Sequence, residues 1–391
     1  MSGIRYLDEF YKDMKRNAAV GRKIVAIMKD GKGPKERLIA KLEQSLERLN
    51  KIPKRDGNHV LLAKEGKKIN VDLGYEIREL EKDLAFLREG EESLLKRMGS
   101  DIRNFDKDVQ RVVKFLGKTK INTFITDRDG TINNYCARYM SSVQSIYNAL
   151  FLSRFAEEFT KRSIIITSAP LEGLLMMNVS PRRSFIFAGS KGREYQTRIG
   201  KIQGMKIEKE KEKSLDLVAK EVKKVLNKPD NSKFYYIGSG FQKKYGQITV
   251  ARQDVNNSVP RKESENFLKL ISEIVKENDK QGFMEIEDTG LDIEIILNHG
   301  ASAFSKGDGV EFLSRRMRLN LEEGTNLVCG DTSSDIPMAE EVASRNKNTK
   351  TIFVTDDEKL KRKVSKKLDN VCFVRSPDVL VTALNMVADK N

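Results

Sequence analysis

Short apolar runs recur along the chain from Ile121 onward, and each gives way to polar or glycine-containing residues before a stretch with helical spacing begins. The runs are Ile121–Thr126, Ser163–Ile166, Ser184–Ala188, Asn326–Cys329, Thr351–Val354 and Asn370–Val374. Runs of this length are typical of strands, and strands that alternate with helices form parallel sheets. We therefore predict an α/β core with a parallel sheet, whose functional residues lie at the carboxyl ends of the strands.

The first part of the chain, residues 1–118, has a different pattern. Apolar residues recur there at helical spacing with Glu and Lys between them, as in Leu38, Leu42, Leu46 and Leu49. The pattern predicts three or four amphipathic helices in an all-α helical bundle or coiled coil. We expect this region to self-associate into a homo-oligomer or to support the insert described next. The stretch Val60–Val71 fits a short hairpin around Glu65 and Gly66.

Residues 202–296 interrupt the α/β pattern. Two helices, Leu215–Leu226 and Lys262–Glu277, alternate with strand-length runs. Those runs are Lys233–Ile237, Gln247–Arg252, Phe283–Ile286 and Leu291–Ile296. We predict an α+β insert with four antiparallel strands, so that the core consists of residues 119–201 and 297–391. An insert beside a catalytic edge commonly acts as a lid.

Histidine and cysteine are scarce, and this limits the chemistry. The chain has 2 histidines and 3 widely spaced cysteines. Catalytic triads and multi-histidine metal sites therefore lack candidates, and the cysteines fit neither a disulfide framework nor a zinc site. Catalysis has to use carboxylates, lysines, hydroxyls or an oxygen-bound cation. The thiols, and the lack of an apolar run long enough for a membrane span or of a secretory signal, lead us to expect a cytoplasmic protein.

The net charge of +15 does not by itself indicate nucleic-acid binding. Most basic residues are interleaved with acids, and the one dense basic run is Lys359–Lys367. We interpret that run as a solvated helix face, with an anionic partner as the alternative, and expect no nucleic acid. The excess positive charge would also attract anionic phosphate substrates.

The clearest chemical signal follows the first predicted strand. Asp127 and Asp129 are two residues apart, and Gly130 and Thr131 come next. Both carboxylates can leave the strand end toward one site, so that Asp127 acts as a nucleophile and Asp129 handles protons. The alternative is an ordinary turn with aspartates at favoured positions.

Other polar residues follow later strands or the insert. Asp331 and Asp335 follow Asn326–Cys329, Thr167 follows Ser163–Ile166, and Lys306 precedes a helix predicted to begin near Val310. Asp331, Asp127 and a main-chain carbonyl would form an oxygen site suited to Mg²⁺. Asp335 would share that site or hold the loop. Thr167 can donate to phosphate oxygens, and Lys306 can neutralise a phosphoryl group.

The order Asp-x-Asp-Gly-Thr, Thr, Lys, Gly-Asp-x-x-x-Asp resembles the haloacid dehalogenase superfamily, from about Ile121 to the C-terminus. The resemblance implies a Rossmann-like haloacid dehalogenase core with an α+β cap. It also implies that Asp127 forms an aspartyl-phosphate and that Asp129 first protonates the leaving oxygen and then activates water. Asp127, the carbonyl of Asp129, and Asp331 would hold Mg²⁺. Thr167 and Lys306 would bind the transferring phosphoryl group.

Within that superfamily the chain is most similar to trehalose-6-phosphate phosphatases. The segment Phe187–Glu194 resembles that family's Ala-Gly-x-His-Gly-x-Glu, with Lys191 in place of histidine. Gln242–Arg252 and Asp292–Glu294 resemble its cap segments, although Ile296-Leu297 replaces the usual Arg-Pro. The resemblance implies that substrate is bound by Lys191, Glu194, Lys244, Arg252 and Glu294.

We therefore predict a Mg²⁺-dependent phosphatase for a sugar phosphate monoester, with trehalose 6-phosphate as the first candidate. The departures from the family pattern fall mostly on positions that would contact the sugar, so another phosphorylated sugar or glycoside stays open. A phosphomutase with the same nucleophile and a non-catalytic scaffold are the further alternatives.

Overall fold

The protein is described by a computed structural model that covers residues 3–55, 57–63, 66–136, 138–254, 257–300 and 302–389. The N-terminal elements are α1 (Leu7–Lys29), α2 (Glu36–Asn50), β1 (Lys54–Arg55), β2 (Asn58–Leu62), β3 (Lys68–Val71), α3 (Gly74–Glu89), α4 (Glu91–Asp101) and α5 (Phe105–Leu116). The first half of the core contains β4 (Ile121–Thr126), α6 (Ile146–Glu158), β5 (Thr160–Ile166), α7 (Leu171–Met177), β6 (Ile186–Gly189), β7 (Glu194–Gln196) and β8 (Ile202–Gly204).

The insert and the second half of the core follow. The insert contains α8 (Lys209–Leu226), α9 (Lys233–Tyr236), β9 (Phe241–Lys244), β10 (Gln247–Ala251), α10 (Arg261–Asn278), β11 (Met284–Asp288), β12 (Asp292–His299) and β13 (Ser302–Ala303). The chain then returns to the core with α11 (Lys306–Met317), β14 (Thr325–Gly330), α12 (Ile336–Arg345), β15 (Thr349–Val354), α13 (Glu358–Ser365), β16 (Val371–Val374) and α14 (Pro377–Asp389).

The central sheet confirms the predicted α/β class. Its strand order is β16-β15-β14-β4-β5-β6-β7-β8, and the strands from β16 to β6 are parallel. The hairpin of β7 and β8 extends it in antiparallel fashion. Strands β4 and β14 are neighbours although about two hundred positions separate them in the chain, with Cys329 opposite Thr126. The loops that follow these two strands therefore begin side by side at one edge of the sheet.

The insert forms an antiparallel sheet of order β11-β12-β10-β9, with β13 beside β12. The strand predicted at Lys233–Ile237 is wrong, because these residues form the short helix α9 and β9 begins at Phe241. Gly238 and Gly240 adopt positive φ angles between the two, which ends extended backbone there. In addition, the ring of Phe234 stacks on Phe267 of α10 at 3.7 Å, which favours the helical turn.

The insert has a hydrophobic cluster of its own, formed by α8, α10 and the inner face of its sheet. It is joined to the core by Arg193, whose guanidinium donates to the carbonyl oxygens of Gly246 and Leu297. The same guanidinium lies 4.3 Å from the ring centroid of Phe304. Burial lowers the pKa of Arg193 to about 10. These contacts attach the insert to the core near the points where the chain enters and leaves it.

The N-terminal helices pack on the core. One hydrophobic cluster runs without a break from residues of α1, α3 and α5 into α6, α14 and the central sheet. The rings of Phe86 in α3 and Phe151 in α6, for example, meet edge to face at 6.1 Å. The predicted hairpin is present as β2 and β3, which extend a small sheet within this region, although Glu65 lies outside the described residues. Helix α3 ends at Gly90, and α4 and α5 follow as separate helices.

Three smaller predictions concern the cysteines, the dense basic run and membrane-spanning segments. The cysteines Cys136, Cys329 and Cys372 are buried and unpaired. The basic run Lys359–Lys367 lies on and just after α13, where Lys367 pairs with Glu340 at 2.8 Å. Among the helices of the described ranges, none combines the length and the apolar character that crossing a bilayer would require.

Glu76 is a buried acid where α3 meets the segment after β4. Its side chain is close to Cys136, whose Sγ lies 3.6 Å from Oε1, and to Ser141 and Arg138. Burial raises the pKa of Glu76 to about 7, although Ser141, Cys136 and the charge of Arg138 act in the opposite direction. The folded chain therefore holds a proton on Glu76 at pH values where the unfolded chain has released it.

This difference predicts a pH-dependent stability that Glu76→Gln removes. Because the folded pKa lies above the unfolded value of 4.5, the contribution of Glu76 to stability falls as the pH rises from about 4.5 to about 7 and is constant above that. At pH 8 we expect Glu76→Gln to be more stable than the unmodified chain by about 3 kcal/mol, and at pH 4.5 to be nearly equal to it. Urea unfolding at both pH values measures this difference.

Glu92→Gln is the matched control, because Glu92 is exposed on α4. It should leave the pH dependence of stability unchanged. A Glu76→Gln variant that is destabilised equally at both pH values would show that folding does not raise the pKa of Glu76.

Candidate active site

Two loops meet where β4 and β14 end. Asp127 follows β4, and its amide donates to the carbonyl of Cys329 in β14 at 2.9 Å. Asp331 follows β14. The hydroxyl of Thr131 lies between the two carboxylates, 3.3 Å from Asp127 Oδ2 and 3.1 Å from Asp331 Oδ1. The structure thus brings together two aspartates that the sequence predicted at neighbouring strand ends.

Gly130 makes this approach possible. It adopts φ 88°, and a Cβ atom at this position would lie 2.1 Å from Oδ2 of Asp331. Any other residue would therefore displace the Asp331 carboxylate as well as strain the backbone. The glycine of the Asp-x-Asp-Gly-Thr sequence is explained by the close contact between the loops.

Lys306 reaches the same site from the start of α11. This helix begins at Lys306 rather than near Val310, because Ser305 and Asp308 form a capping box at its N-terminus. The Lys306 side chain is buried, and its ammonium donates to Oδ1 of Asp127 and to Oδ1 of Asp335. Lys306 therefore links the nucleophile candidate to the loop after β14.

Asp335 binds Lys306 and also holds the loop after β14. Its Oδ2 accepts from the amides of Asp331 and Thr332 at 3.0 and 2.9 Å and from the Thr332 hydroxyl at 3.0 Å. The carboxylate is fully buried. The sequence left two roles open for Asp335, a share in the metal site or support of the loop. Its hydrogen bonds favour the second role, in which Asp335 holds the loop and orients Lys306.

Negative charge is in excess at this edge of the sheet. Burial, together with repulsion from Asp127 and Asp335, raises the pKa of Asp331 well above its usual range. Burial also raises the pKa of Asp127, which Lys306 only partly offsets. Burial alone would lower the pKa of Lys306, but the charges of Asp127 and Asp335 raise it above its ordinary value. The lysine is thus a permanent cation, and one cation is too few for the carboxylates around it.

The donor set fits a hard divalent cation. Asp127, Asp331 and Asp335 each offer a carboxylate oxygen, and these atoms lie within 4.8 Å of one another. Oxygen ligands alone are what Mg²⁺ prefers. The predicted set contained the carbonyl of Asp129 in place of Asp335. Asp335 accepts more hydrogen bonds than Asp127 or Asp331, so the latter two have more capacity left to bind a cation.

Asp129 lies beside this cluster and is held from one side. Its Oδ1 accepts from the guanidinium of Arg128 and from the hydroxyl of Ser142 at 2.7 Å. Arg128 is buried and also donates to Ser142. These bonds end on the same oxygen, so they orient the carboxyl group and direct Oδ2 away from its supports.

Thr167 follows β5, the strand next to β4, as predicted. Its Oγ1 accepts from the amide of Ala169 at 3.2 Å, which leaves its hydroxyl hydrogen to donate elsewhere. The carbonyl of Thr167 accepts from the amide of Lys191 at 2.9 Å. The loop that carries Thr167 is thereby tied to the loop that carries Lys191.

Three of the predicted substrate residues meet between the core and the insert. Lys191 of the core donates to Oε2 of Glu294 in β12 at 3.0 Å, and Lys244 of β9 lies 3.9 Å from Oε1 of the same residue. All three side chains are largely buried. Burial raises the pKa of Glu294, but Lys244 and Lys191 outweigh it, and the net shift is downward. Burial lowers the pKa of Lys244.

The Lys191 turn is fixed against the helix that carries Lys306. Lys191 adopts φ 60°, and a Cβ atom on Gly309 in the first turn of α11 would lie 2.0 Å from the Lys191 carbonyl oxygen. This contact requires glycine at position 309. Lys306 and Lys191 are therefore positioned by one packed unit.

The other two predicted substrate residues have different partners. Glu194 accepts from the amide of Leu171 at 3.0 Å and from the Ser190 hydroxyl at 2.7 Å. Arg252 pairs with Asp288 at 2.7 Å and donates to Ser264. These bonds hold loops and helices together, and the structure does not bring either residue into the Lys191, Lys244 and Glu294 cluster. Their assignment to substrate stays a prediction.

Sequence reasoning missed Arg128, Ser142 and Asn133, which surround Asp129. Arg128 lies inside the motif that marked Asp127 and Asp129, so its position was a usable signal. Ser142 and Asn133 lie in an irregular segment without a periodic pattern, and nothing in their spacing points to Asp129.

Comparison with protein families gives two adjoining matches. Residues 124–380 match the family described as trehalose-6-phosphate phosphatase, C-terminal. Residues 6–117 match the trehalose-6-phosphate phosphatase N-terminal helical bundle domain. Together these matches account for most of the chain, including the helical region that carried no chemical motif.

Individual relatives agree with this. The chain is 32% identical over 411 residues to the Caenorhabditis elegans protein named alpha,alpha-trehalose-phosphate synthase [UDP-forming] 2, a match that covers 97% of this chain and 33% of that protein. The chain thus spans about a third of the length of the first curated relatives it matches. It is also 31% identical over 367 residues to the trehalose-phosphatase of Brugia malayi, covering 83% of this chain and 74% of that protein.

A solved structure shows the same fold. The C-terminal domain of Candida albicans trehalose-6-phosphate phosphatase aligns with 72% of this chain and 96% of its own, at a TM-score of 0.51 and 15% identity. At this level of identity the match shows a shared fold. By the extent of these sequence matches, the chain belongs to the trehalose-6-phosphate phosphatase family.

Proposed function

We propose that the chain hydrolyses a sugar phosphate monoester by way of a phosphate ester on Asp127, with trehalose 6-phosphate as the first substrate to test. The observation that carries the proposal is the placement of Asp127 between a buried lysine and a second strand-end aspartate. One relative is named a trehalose-phosphatase, and the family match is to trehalose-6-phosphate phosphatases. Both support the choice of substrate.

Asp127 is suited to attack phosphorus. Lys306 donates to one of its oxygens, which holds the carboxylate in one orientation and brings a positive charge to the point where phosphoryl charge accumulates. As the bond from Asp127 oxygen to phosphorus forms, the bond from phosphorus to the sugar oxygen breaks. Thr167 has a hydroxyl hydrogen left to donate to a phosphoryl oxygen.

Asp129 is suited to move the protons. Its carboxyl group gives a proton to the departing sugar oxygen, and the resulting carboxylate then takes a proton from the water that attacks the phosphoaspartate. That second step releases inorganic phosphate and restores Asp127. Because Arg128 and Ser142 hold Oδ1 of Asp129, Oδ2 is the oxygen that faces these partners.

Asp127 and Asp331 would hold Mg²⁺, with Asp335 behind them. When bound, the ion supplies the positive charge that the clustered carboxylates and an incoming phosphate dianion require. Asp331 and Thr131 keep the two loops at the spacing that such a site needs.

The cap supplies groups for a hydroxyl-rich ligand. Lys191, Lys244 and Glu294 form a charged cluster at the junction of core and insert, and charged donors and acceptors bind sugar hydroxyls well. We infer that these residues contact the sugar while the strand-end residues contact the phosphate. We also propose the cytoplasmic location that was expected from the cysteines.

Asp127→Asn should abolish turnover without unfolding the protein. An amide oxygen is a poor nucleophile, so we expect phosphate release from trehalose 6-phosphate to fall by at least about a thousandfold. Release of phosphate from a panel of sugar phosphates, followed with a phosphate assay, measures this effect and ranks the substrates.

Asp369→Asn is the control for Asp127→Asn, because Asp369 is exposed and far along the chain from the site. It should retain full activity. Retained activity in Asp127→Asn would refute the nucleophile. Exchange of phosphate between sugar positions without release to water would instead favour a phosphomutase.

Mg²⁺ should stabilise the folded protein as well as activate it. Binding relieves the repulsion among Asp127, Asp331 and Asp335, so we expect the unfolding temperature to rise with Mg²⁺ concentration and activity to disappear with EDTA. In Asp331→Asn both responses should require about tenfold or more Mg²⁺, since a carboxylate ligand is lost. A thermal shift in Asp331→Asn equal to that of Asp369→Asn would contradict this metal site.

A further inference from the structure

Helix α3 of the N-terminal bundle presents one polar face to the segment between β4 and α6, here called the β4–α6 loop (residues 127–145). Tyr75, Glu79 and Asp83 recur every four residues, so they lie on one side of α3. All three are buried. Polar residues buried at such a spacing have partners, and these partners lie in the β4–α6 loop or at the start of α6.

Two acids on this face hold the middle and the C-terminal end of the β4–α6 loop. Asp83 accepts from the amides of Ile146 and Tyr147 at 2.7 and 3.3 Å, and therefore caps the N-terminus of α6 from another helix. Glu79 accepts from the hydroxyl of Ser145 and from Asn134 Nδ2, the latter at 2.9 Å. The N-terminal bundle thus supplies bonds that the core does not make for itself.

Tyr75 begins a hydrogen-bonded path that ends on Asp129. Its hydroxyl donates to the carbonyl of Val143 at 2.6 Å and accepts from Asn133 Nδ2 at 2.8 Å. The same amide group of Asn133 lies 3.1 Å from the hydroxyl of Ser142. Ser142 in turn donates to Oδ1 of Asp129 at 2.7 Å. Each link of this path is buried or partly buried.

The path holds the carboxyl group of Asp129 by one oxygen, Oδ1. Asn133 also approaches Oδ1 of Asp129 directly, at 3.5 Å. Since Ser142, Arg128 and Asn133 all address Oδ1, the orientation of Asp129 depends on where the β4–α6 loop lies. Tyr75 fixes that loop at Val143 and Asn133 at the same time.

We propose that Tyr75 is a positioning residue for the acid–base group Asp129, so that the N-terminal bundle completes the active site. The inference rests on the proposed function, because it assigns Asp129 the proton transfers. It makes the bundle part of the catalytic unit, whatever its role in self-association.

The test compares two esters that differ in their need for an acid. A sugar phosphate has a poor leaving group that must be protonated as it departs, whereas p-nitrophenolate leaves without a proton. The parameter kcat/KM covers the steps up to departure of the leaving group, so it isolates this difference. Displacing the acid should lower kcat/KM for the sugar phosphate alone.

The variant is Tyr75→Phe, which removes one hydroxyl and keeps the buried ring. We expect kcat/KM to fall about tenfold for trehalose 6-phosphate and less than about twofold for p-nitrophenyl phosphate. The matched control is Tyr11→Phe. Tyr11 lies on α1, and its hydroxyl accepts from Arg138 of the same loop at 3.3 Å, outside the path to Asp129. It should leave both esters unchanged.

Ser142→Ala interrupts the same path next to Asp129. Because Ser142 lies in the β4–α6 loop, the effect of this substitution does not depend on whether the bundle stays folded. It should reproduce the selective loss, and Tyr75→Phe combined with Ser142→Ala should lose little more than the larger single effect. Equal losses for both esters, or additive losses in the double variant, would show a general structural role and overturn the inference.

The failure of the proposed function would look different. An unmodified chain that releases phosphate from neither ester would refute the phosphatase activity itself, and the inference with it. An active unmodified chain in which Tyr75→Phe behaves like Tyr11→Phe would overturn only the role of Tyr75.

Discussion

The ion pair of Lys306 with Asp127 and Asp335 is the interaction on which the site depends. It lies buried at the carboxyl edge of the central sheet, where β4 and β14 end beside each other. A buried ammonium between carboxylates is stable only if its geometry is well supported. The supports are the capped N-terminus of α11, the amides that bind Asp335, and Gly130, which lets the two loops meet. In the proposed function, the remaining negative charge would be balanced by a bound cation.

The residues at this edge were predictable because the fold itself places them. Parallel strands end at one edge, so Asp127, Thr167 and Asp331 could be assigned to one site from their position after apolar runs. Lys306 was predictable only by the order of the motifs. Its helix begins earlier than the apolar pattern indicated, because the start of the helix is set by the capping box of Ser305 and Asp308. The strand predicted at Lys233–Ile237 failed because aromatic residues favour strands locally, whereas stacking on Phe267 is a tertiary contact.

Contacts between distant segments could not be predicted in the same way. Tyr75 and Asn133 are 58 positions apart, and neither lies in a pattern that points to the other. The cap shows the same limit. Lys191 and Glu294 were assigned by resemblance, and the structure pairs them, whereas Arg252 and Glu194 were assigned on equal grounds and have other partners. Sequence patterns indicate which residues reach an edge or a face, but pairing across domains depends on packing.

The bundle, the core and the cap act on different parts of one reaction in this account. In the proposed function, the core supplies the nucleophile and the charges around it, the insert contributes Lys244 and Glu294 to the sugar site, and the bundle holds the loop that carries Asp129. A continuous hydrophobic cluster joins the bundle to the core, so the support from α3 is part of the folded unit. The match of residues 6–117 to a helical bundle domain of the same family agrees with a bundle that accompanies the catalytic core.

The proposal that Asp127 is the nucleophile is tested most directly by a chemical trap for phosphate on that residue. In an Asp129→Asn variant, p-nitrophenyl phosphate still forms the phosphoaspartate but water is no longer activated, so the intermediate accumulates. Acid quenching, reduction with borohydride and peptide mass spectrometry then identify the esterified residue, because an acyl phosphate is reduced to an alcohol. If Asp127 is the nucleophile, homoserine appears at position 127 and at no other aspartate. Release of p-nitrophenolate without homoserine at position 127, or with it at another carboxylate, would contradict the account.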